Sequence, residues 1–226
     1  MADTLQKGIH LYKNNKFRES LTVLLSLQPP ENDVDALEIA YYTGLSYAQL
    51  QRYDDALLYL EQFVTSTDDE QRLEQCRLSL AIIYSITGRK RLAELEIKEL
   101  VENGYDSCEV YCARAFINWE QGNIQDAIDD YEKALELNSD SPTALNGLGY
   151  VLACQDRDLT RALSLCKRAV DILPDSAACL DSLGWVYYKL GLNKEAKIYI
   201  TRARSFNSHN KEIAEHYALV LEQESM

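Results

Sequence analysis

The stretch LDSLGWVYYKLG, residues 180–191, has the spacing of a helix, with Leu183, Tyr187 and Leu190 three or four residues apart. Gly184 breaks the pattern of preferences, because a glycine inside a helix costs about 1 kcal/mol relative to alanine. A bulky indole, Trp185, follows at once. The same arrangement stands 35 residues earlier in LNGLGYVLACQD, residues 145–156, where Leu, Leu, Gly, an aromatic and Val coincide. Fainter copies are YYTGLSYAQLQ from Tyr41, RLSLAIIYSITG from Arg77, YCARAFINWEQG from Tyr111 and, weakest, TLQKGIHLYKNN from Thr4. The small residues that align are Gly8, Gly44, Ala81, Ala115, Gly149 and Gly184, separated by 34 to 37 residues. Self-similarity at such a period is the mark of stacked units that bury a shared core.

A second small residue follows in each unit: Ser20, Ala56, Ala93, Ala127, Ala162 and Ala196. It lies 12 residues after the first, or 13 in the fifth unit, where QDRDL carries the insertion and Asp158→Ala is expected to cost little. Apolar residues recur four and seven positions further on, as in Tyr131 and Ala134, or Ile200 and Ala203, which is an amphipathic helical period. Each unit therefore reads as two helices packed closely at facing small residues, and Gly184 is a packing contact. Gly88, Gly122 and Gly191 fall where first helices end and suit left-handed caps. Pro30, Pro142 and Pro174 fall between units, and SDSP and LPDSA supply serine or aspartate for helix N-termini.

On these residues the chain resembles the tetratricopeptide repeat (TPR) family. The sixth unit carries the family's pattern in Leu180, Leu183, Gly184, Tyr187, Gly191, Ala196, Ile200 and Ala203, and the fourth carries it in GNIQDAIDDYEKALELN. The first unit departs from it, with Lys7 in place of leucine and Ser20 in place of alanine. The resemblance implies an all-α, right-handed superhelical solenoid of antiparallel helix pairs. Its expected units are 3–35, 36–70, 71–106, 107–140, 141–175 and 176–208, with a capping helix over 209–226 and thirteen helices in all. In that last helix Ile213, Tyr217 and Leu221 are expected to cover the sixth unit, while Lys211, Glu215, Glu222 and Glu224 face water.

Composition narrows the function. Lys plus Arg number 23 against 36 Asp plus Glu, a formal charge of −13, which argues against nucleic acid and against an anionic membrane surface. No apolar run is long enough to span a bilayer, and the first residues lack a signal-peptide core. A cytoplasmic protein is expected, or a periplasmic one if a leader has been trimmed. The six cysteines are expected to be reduced and mostly buried, and no metal or other cofactor is expected. No phosphate-binding, zinc-protease or serine-hydrolase motif is present, and His10, His209 and His216 pair with no nucleophile in sequence. Acidic pairs such as Asp54–Asp55, Asp68–Asp69 and Asp129–Asp130 read as caps and solvated faces rather than catalytic groups. No catalytic residue is assigned, and the chain is not expected to be an enzyme.

The family resemblance implies a concave surface lined by the first helices, where a protein or peptide ligand binds. In this chain the residues so placed are Tyr12, Tyr41, Leu45, Leu78, Ile82, Phe116, Trp119, Asn146, Tyr150, Asp181, Trp185 and Tyr188, with Ser85 and Cys112 on the same side. Tyr47, Tyr84 and Tyr187 take the family's buried positions. Trp185→Ala is thus expected to weaken binding and leave the fold nearly as stable. Some members clamp a terminal carboxylate with basic and amide side chains; here Leu5, Ile9, Tyr42 and Ser79 occupy those places, so that activity is not expected. The leading expectation is a non-enzymatic adaptor or scaffold, with a monomer favoured. The last two units are also similar to bacterial envelope-associated repeat proteins, which implies an adaptor or assembly factor there. A self-assembling structural protein is the third expectation.

Overall fold

A computed structural model describes residues 2–27 and 33–223, so Pro30 and Glu224 lie outside the described residues. Among the described residues there are thirteen α-helices and no strand. They fall into two compact units divided after Tyr105. The first unit holds α1 (Ala2–Lys13), α2 (Phe17–Leu25), α3 (Asp33–Gln49), α4 (Tyr53–Ser66), α5 (Glu70–Ile86) and α6 (Lys90–Glu102). The second holds α7 (Cys108–Gln121), α8 (Ile124–Leu137), α9 (Pro142–Cys154), α10 (Leu159–Ile172), α11 (Ala177–Lys189), α12 (Asn193–Phe206) and α13 (Lys211–Gln223). Within each unit every helix packs on the next, and each odd-numbered helix also touches the next odd-numbered one. Helical hairpins stacked side by side result, and within each unit the first helices share one face.

The close approach inferred from the small residues is present. A β-carbon built on Gly184 would lie 2.4 Å from Cγ1 of Ile200 on α12, and one on Gly149 would lie 2.5 Å from Sγ of Cys166 on α10. Ala56, Ala81, Ala93, Ala115, Ala127, Ala162 and Ala196 are fully buried. Ser20 keeps the place of the missing alanine in the first hairpin by donating its hydroxyl to the Gly8 carbonyl at 2.8 Å. That bond satisfies a polar group otherwise costly to bury.

Each complete first helix ends on a left-handed residue, and the series is Asn15, Gln51, Gly88, Gly122, Asp156 and Gly191. At Gly122 (φ 82°) the reversed backbone lets the Asn123 N–H donate to the Asn118 carbonyl, closing the helix end. Sequence alone pointed to the three glycines, whereas Asn15, Gln51 and Asp156 adopt the same conformation and close their helices with the same local bond, as in Lys16 N–H to the Leu11 carbonyl. Ser141 and Ser176 cap α9 and α11 through the Ala144 and Cys179 N–H groups, and Pro142 takes the first turn, where no N–H is needed.

Two expectations are corrected. Asp158 is no idle loop residue: it caps α10 by accepting from the Arg161 N–H at 3.0 Å, from a left-handed backbone (φ 37°). Asp158→Ala is accordingly expected to cost about 1 kcal/mol, the usual loss of an N-cap, read as a lower denaturation midpoint. Asp130, expected on a solvated face, is buried at 6% exposure. It receives Arg114 through two bonds (2.9 and 2.5 Å) and Asn118 at 3.0 Å, tying α7 to α8.

Candidate protein-binding surface

The first-helix face of the first unit is largely closed by its own side chains. Tyr12 meets Tyr42 edge-on with ring centroids 5.4 Å apart, and Tyr42 meets Tyr41 at 4.9 Å. Tyr41 and Leu45, expected on the binding face, are buried, as are Ser85 and Tyr42. The reason for Tyr41 is its neighbours: its hydroxyl donates to Gln75 Oε1 at 2.5 Å on α5, and the Arg72 guanidinium lies 5.2 Å over its ring. Arg72 is itself paired with Glu38 across the same helix–helix seam. Burial pushes the Tyr41 phenol well above its ordinary range, so it stays neutral. Leu78 is half-buried and Ile82 is exposed, and together with Ile86 they leave an apolar line along α5.

In the second unit the face carries a run of rings. Trp119 meets Tyr150 edge-on at 6.0 Å, and Tyr150 lies 6.3 Å from the His216 imidazole. His216 stacks on Trp185 at 4.2 Å and 15°, and Trp185 stacks on Tyr188 at 5.0 Å and 17°. Phe116, Trp119, Asn146, Tyr150, Trp185 and Tyr188 are all half-buried, so α7, α9 and α11 each present accessible surface from an expected residue. Cys112 is buried.

Asp181 is the exception in this unit. It is only 4% exposed, and its Oδ2 accepts from Nδ1 of His216 at 2.8 Å. The cause is α13, which packs on α11 and α12 in the place of a further first helix. Its buried stripe is Ile213, His216 and Val220, while Tyr217 and Leu221 are only half-buried, so the stripe is rotated from the one expected. Lys211, Glu215 and Glu222 are exposed. Glu212, at the start of the helix, accepts a hydrogen bond from the Tyr150 hydroxyl two hairpins away. Burial, and then Glu212, push the Tyr150 phenol up. Tyr150 is thereby a neutral donor at neutral pH.

His216 was missed by the sequence reading, which treated histidines only as catalytic candidates. The signal was available, since His216 follows Asp181 by 35 residues, the repeat period. Contacts between side chains 34 or 35 residues apart on successive hairpins recur in the first unit, as in Arg72–Glu38, Tyr41–Gln75 and Arg89–Asp54.

No group of three His, Cys, Asp or Glu side chains that could hold a metal occurs among the described residues. All six cysteines are free thiols, five of them buried. Burial pushes Cys76 to about 12, and burial together with Cys108 does the same to Cys112, so neither supplies a thiolate at neutral pH. No helix among the described residues is long and apolar enough to cross a membrane.

Comparison with known proteins agrees with this architecture. The chain is 26% identical over 184 residues to human Protein O-mannosyl-transferase TMTC1, a match covering 80% of this chain and 20% of that protein. It is 28% identical over 107 residues to the TPR repeat-containing protein PA4667 of Pseudomonas aeruginosa, covering 47% of this chain and 18% of that one. The chain thus spans a fifth or less of the length of the curated relatives it matches. Among solved structures, a tetratricopeptide repeat protein from Parabacteroides merdae superposes with a TM-score of 0.77 at 13% identity, over 97% of this chain and 84% of that one. The family profile described as tetratricopeptide repeat matches residues 5–70 and 113–177, together more than half of the chain. With facing small residues, stacked hairpins and a profile match in both units, the chain belongs to the tetratricopeptide repeat family.

Proposed function

We propose that the chain is a non-catalytic protein-binding module, an adaptor or scaffold that takes a peptide or helical segment of a partner on its first-helix face. The observation that carries this reading is the run of half-buried aromatic side chains on α7, α9 and α11, which offers anchors of the kind that dominate protein interfaces. A monomer fits the polar outer side of α13, and six free thiols fit a reducing compartment such as the cytoplasm.

The test is affinity capture from the native cell, followed by titration of the recovered partner with the wild-type and Trp119→Ala chains. Trp119→Ala is expected to weaken binding by about 2 kcal/mol, roughly thirtyfold, because a truncated aromatic anchor loses that much. An unchanged dissociation constant, or turnover of a small molecule by the purified chain, would overturn the reading.

The match to TMTC1 favours a second reading, in which this array is the binding arm of an enzyme. Mannosyl transfer to a protein acceptor by the purified chain alone would support catalysis within the array; transfer only with a separate domain present would keep the array as the binding arm. Fractionation of the native protein decides the envelope-associated alternative.

A further inference from the structure

In the second unit His216 lies between an acid and an indole and leaves one buried acceptor unmatched. The acid is Asp181, whose side chain is 6% exposed. Its Oδ2 accepts from the imidazole, but Oδ1 is buried and accepts no hydrogen bond from the protein. Asn146 occupies the equivalent position on the preceding first helix, and its Oδ1 is likewise buried and unmatched. Trp185 forms the flat wall on which the imidazole lies. Tyr150 and Glu212 sit at the rim, and the nearby Lys189 ammonium, 5.6 Å from the indole centre, is already held by Asp156 at 2.9 Å.

An imidazole carries its nitrogens on opposite sides of the ring, so it reaches one oxygen of a carboxylate at a time. A guanidinium presents two parallel N–H groups that match both oxygens, and its plane stacks on an indole as well as an imidazole does. A buried acceptor without a donor is costly, so the exchange would satisfy an atom that His216 leaves bare. The chain's net charge of −13 attracts a basic segment. The element in the way is α13, which packs on α11 and α12 and reaches α9 through the Tyr150–Glu212 hydrogen bond.

We infer that Asp181 and Trp185 form an arginine-recognising pocket for a segment of a partner protein, with His216 as its internal stand-in. The inference rests on the protein-binding reading and names the side chain that reading would take. Binding requires α13 to release His216, so the free chain is held partly closed by its own last helix.

The test uses the full chain and a blocked Ala-Arg-Ala tripeptide, with citrulline and lysine versions as controls, followed by the indole N–H resonance of Trp185. The chain has two tryptophans, so Trp119→Phe assigns the signal. The arginine peptide is expected to shift that resonance and saturate, and the neutral citrulline peptide is not. His216→Ala is expected to bind the arginine peptide about tenfold more tightly, the gain when an occluding state holding nine-tenths of the population is removed. Asp181→Asn is expected to abolish the response. His216→Arg guards against a variant that merely loosens the fold: its internal guanidinium should raise hydrogen-exchange protection in α13 and block the peptide. Equal responses to arginine and citrulline, a response retained in Asp181→Asn, or lower α13 protection in His216→Arg would each overturn the pocket. The protein-binding reading would survive those results, since it fails separately, through a partner indifferent to Trp119→Ala.

Discussion

Replacing Tyr187 by alanine is expected to lower the stability of the second unit by about 3–5 kcal/mol, the range for truncating a buried aromatic. The ring is 8% exposed and belongs to the core shared by α9, α11 and α12, where it stacks on Tyr199 at 5.5 Å and 15°. Alanine would leave a void between α11 and α12 that neighbouring helices cannot refill without moving apart. Trp185, two residues away, makes a sharp comparison. Its ring lies on the other side of α11, stacked between Tyr188 and His216. Losing two aromatic contacts of about 0.5–1.5 kcal/mol each is expected to free α13 and leave the hairpins beneath it folded. Segment-resolved hydrogen exchange separates the outcomes: Tyr187→Ala should expose α11 and α12 together, and Trp185→Ala should expose α13 alone. Equal loss of protection across α11 and α12 in both variants would place Trp185 in the core. The sequence-based expectation of a nearly silent Trp185→Ala is revised, because α13 depends on that ring.

Gly184→Leu is expected to be nearly as damaging, at about 3 kcal/mol, the upper end for overpacking. The new β-carbon alone would sit 2.4 Å from Ile200 Cγ1, 3.1 Å from the Ile200 nitrogen and 3.2 Å from the Ala196 carbonyl oxygen. The Ile200 side chain can turn aside, but the two backbone atoms move only if α12 moves. Chemical denaturation against Asp158→Ala, whose cost is that of a single cap, gives the scale. If the two midpoints coincide, the contact between α11 and α12 is not the tight one described.

The repeat was legible because its signal is local and periodic. Gly44, Gly149 and Gly184 repeat at the pitch of one hairpin, and no other role explains glycine in the middle of three amphipathic helices. Tyr47, Tyr84 and Tyr187 were placed in the core by the same register, and all three are buried. Residues on the first-helix face were harder. Leu45 and Trp185 occupy comparable positions in their hairpins, yet one is buried and the other half-buried. Trp185 is met by His216 from beyond its own hairpin, and a repeat pattern records only what hairpins have in common. Asp130 shows a related limit in charge: its neighbour Asp129 is exposed, and Arg114 and Asn118, which make burial of Asp130 tolerable, are particular to that hairpin and no part of the repeat pattern.

The sequence by itself determined the fold class, the hairpin unit, the helix-ending glycines Gly88, Gly122 and Gly191, and the positions that must stay small. These follow from contacts within one hairpin, whose partners lie at fixed offsets along the chain. Only the tertiary structure decided that the chain gathers into two units and that His216 docks on Asp181 and Trp185. The last depends on how far α13 rotates as it lands on α11 and α12. Such an angle is set by the balance of many weak side-chain contacts, which no residue spacing encodes.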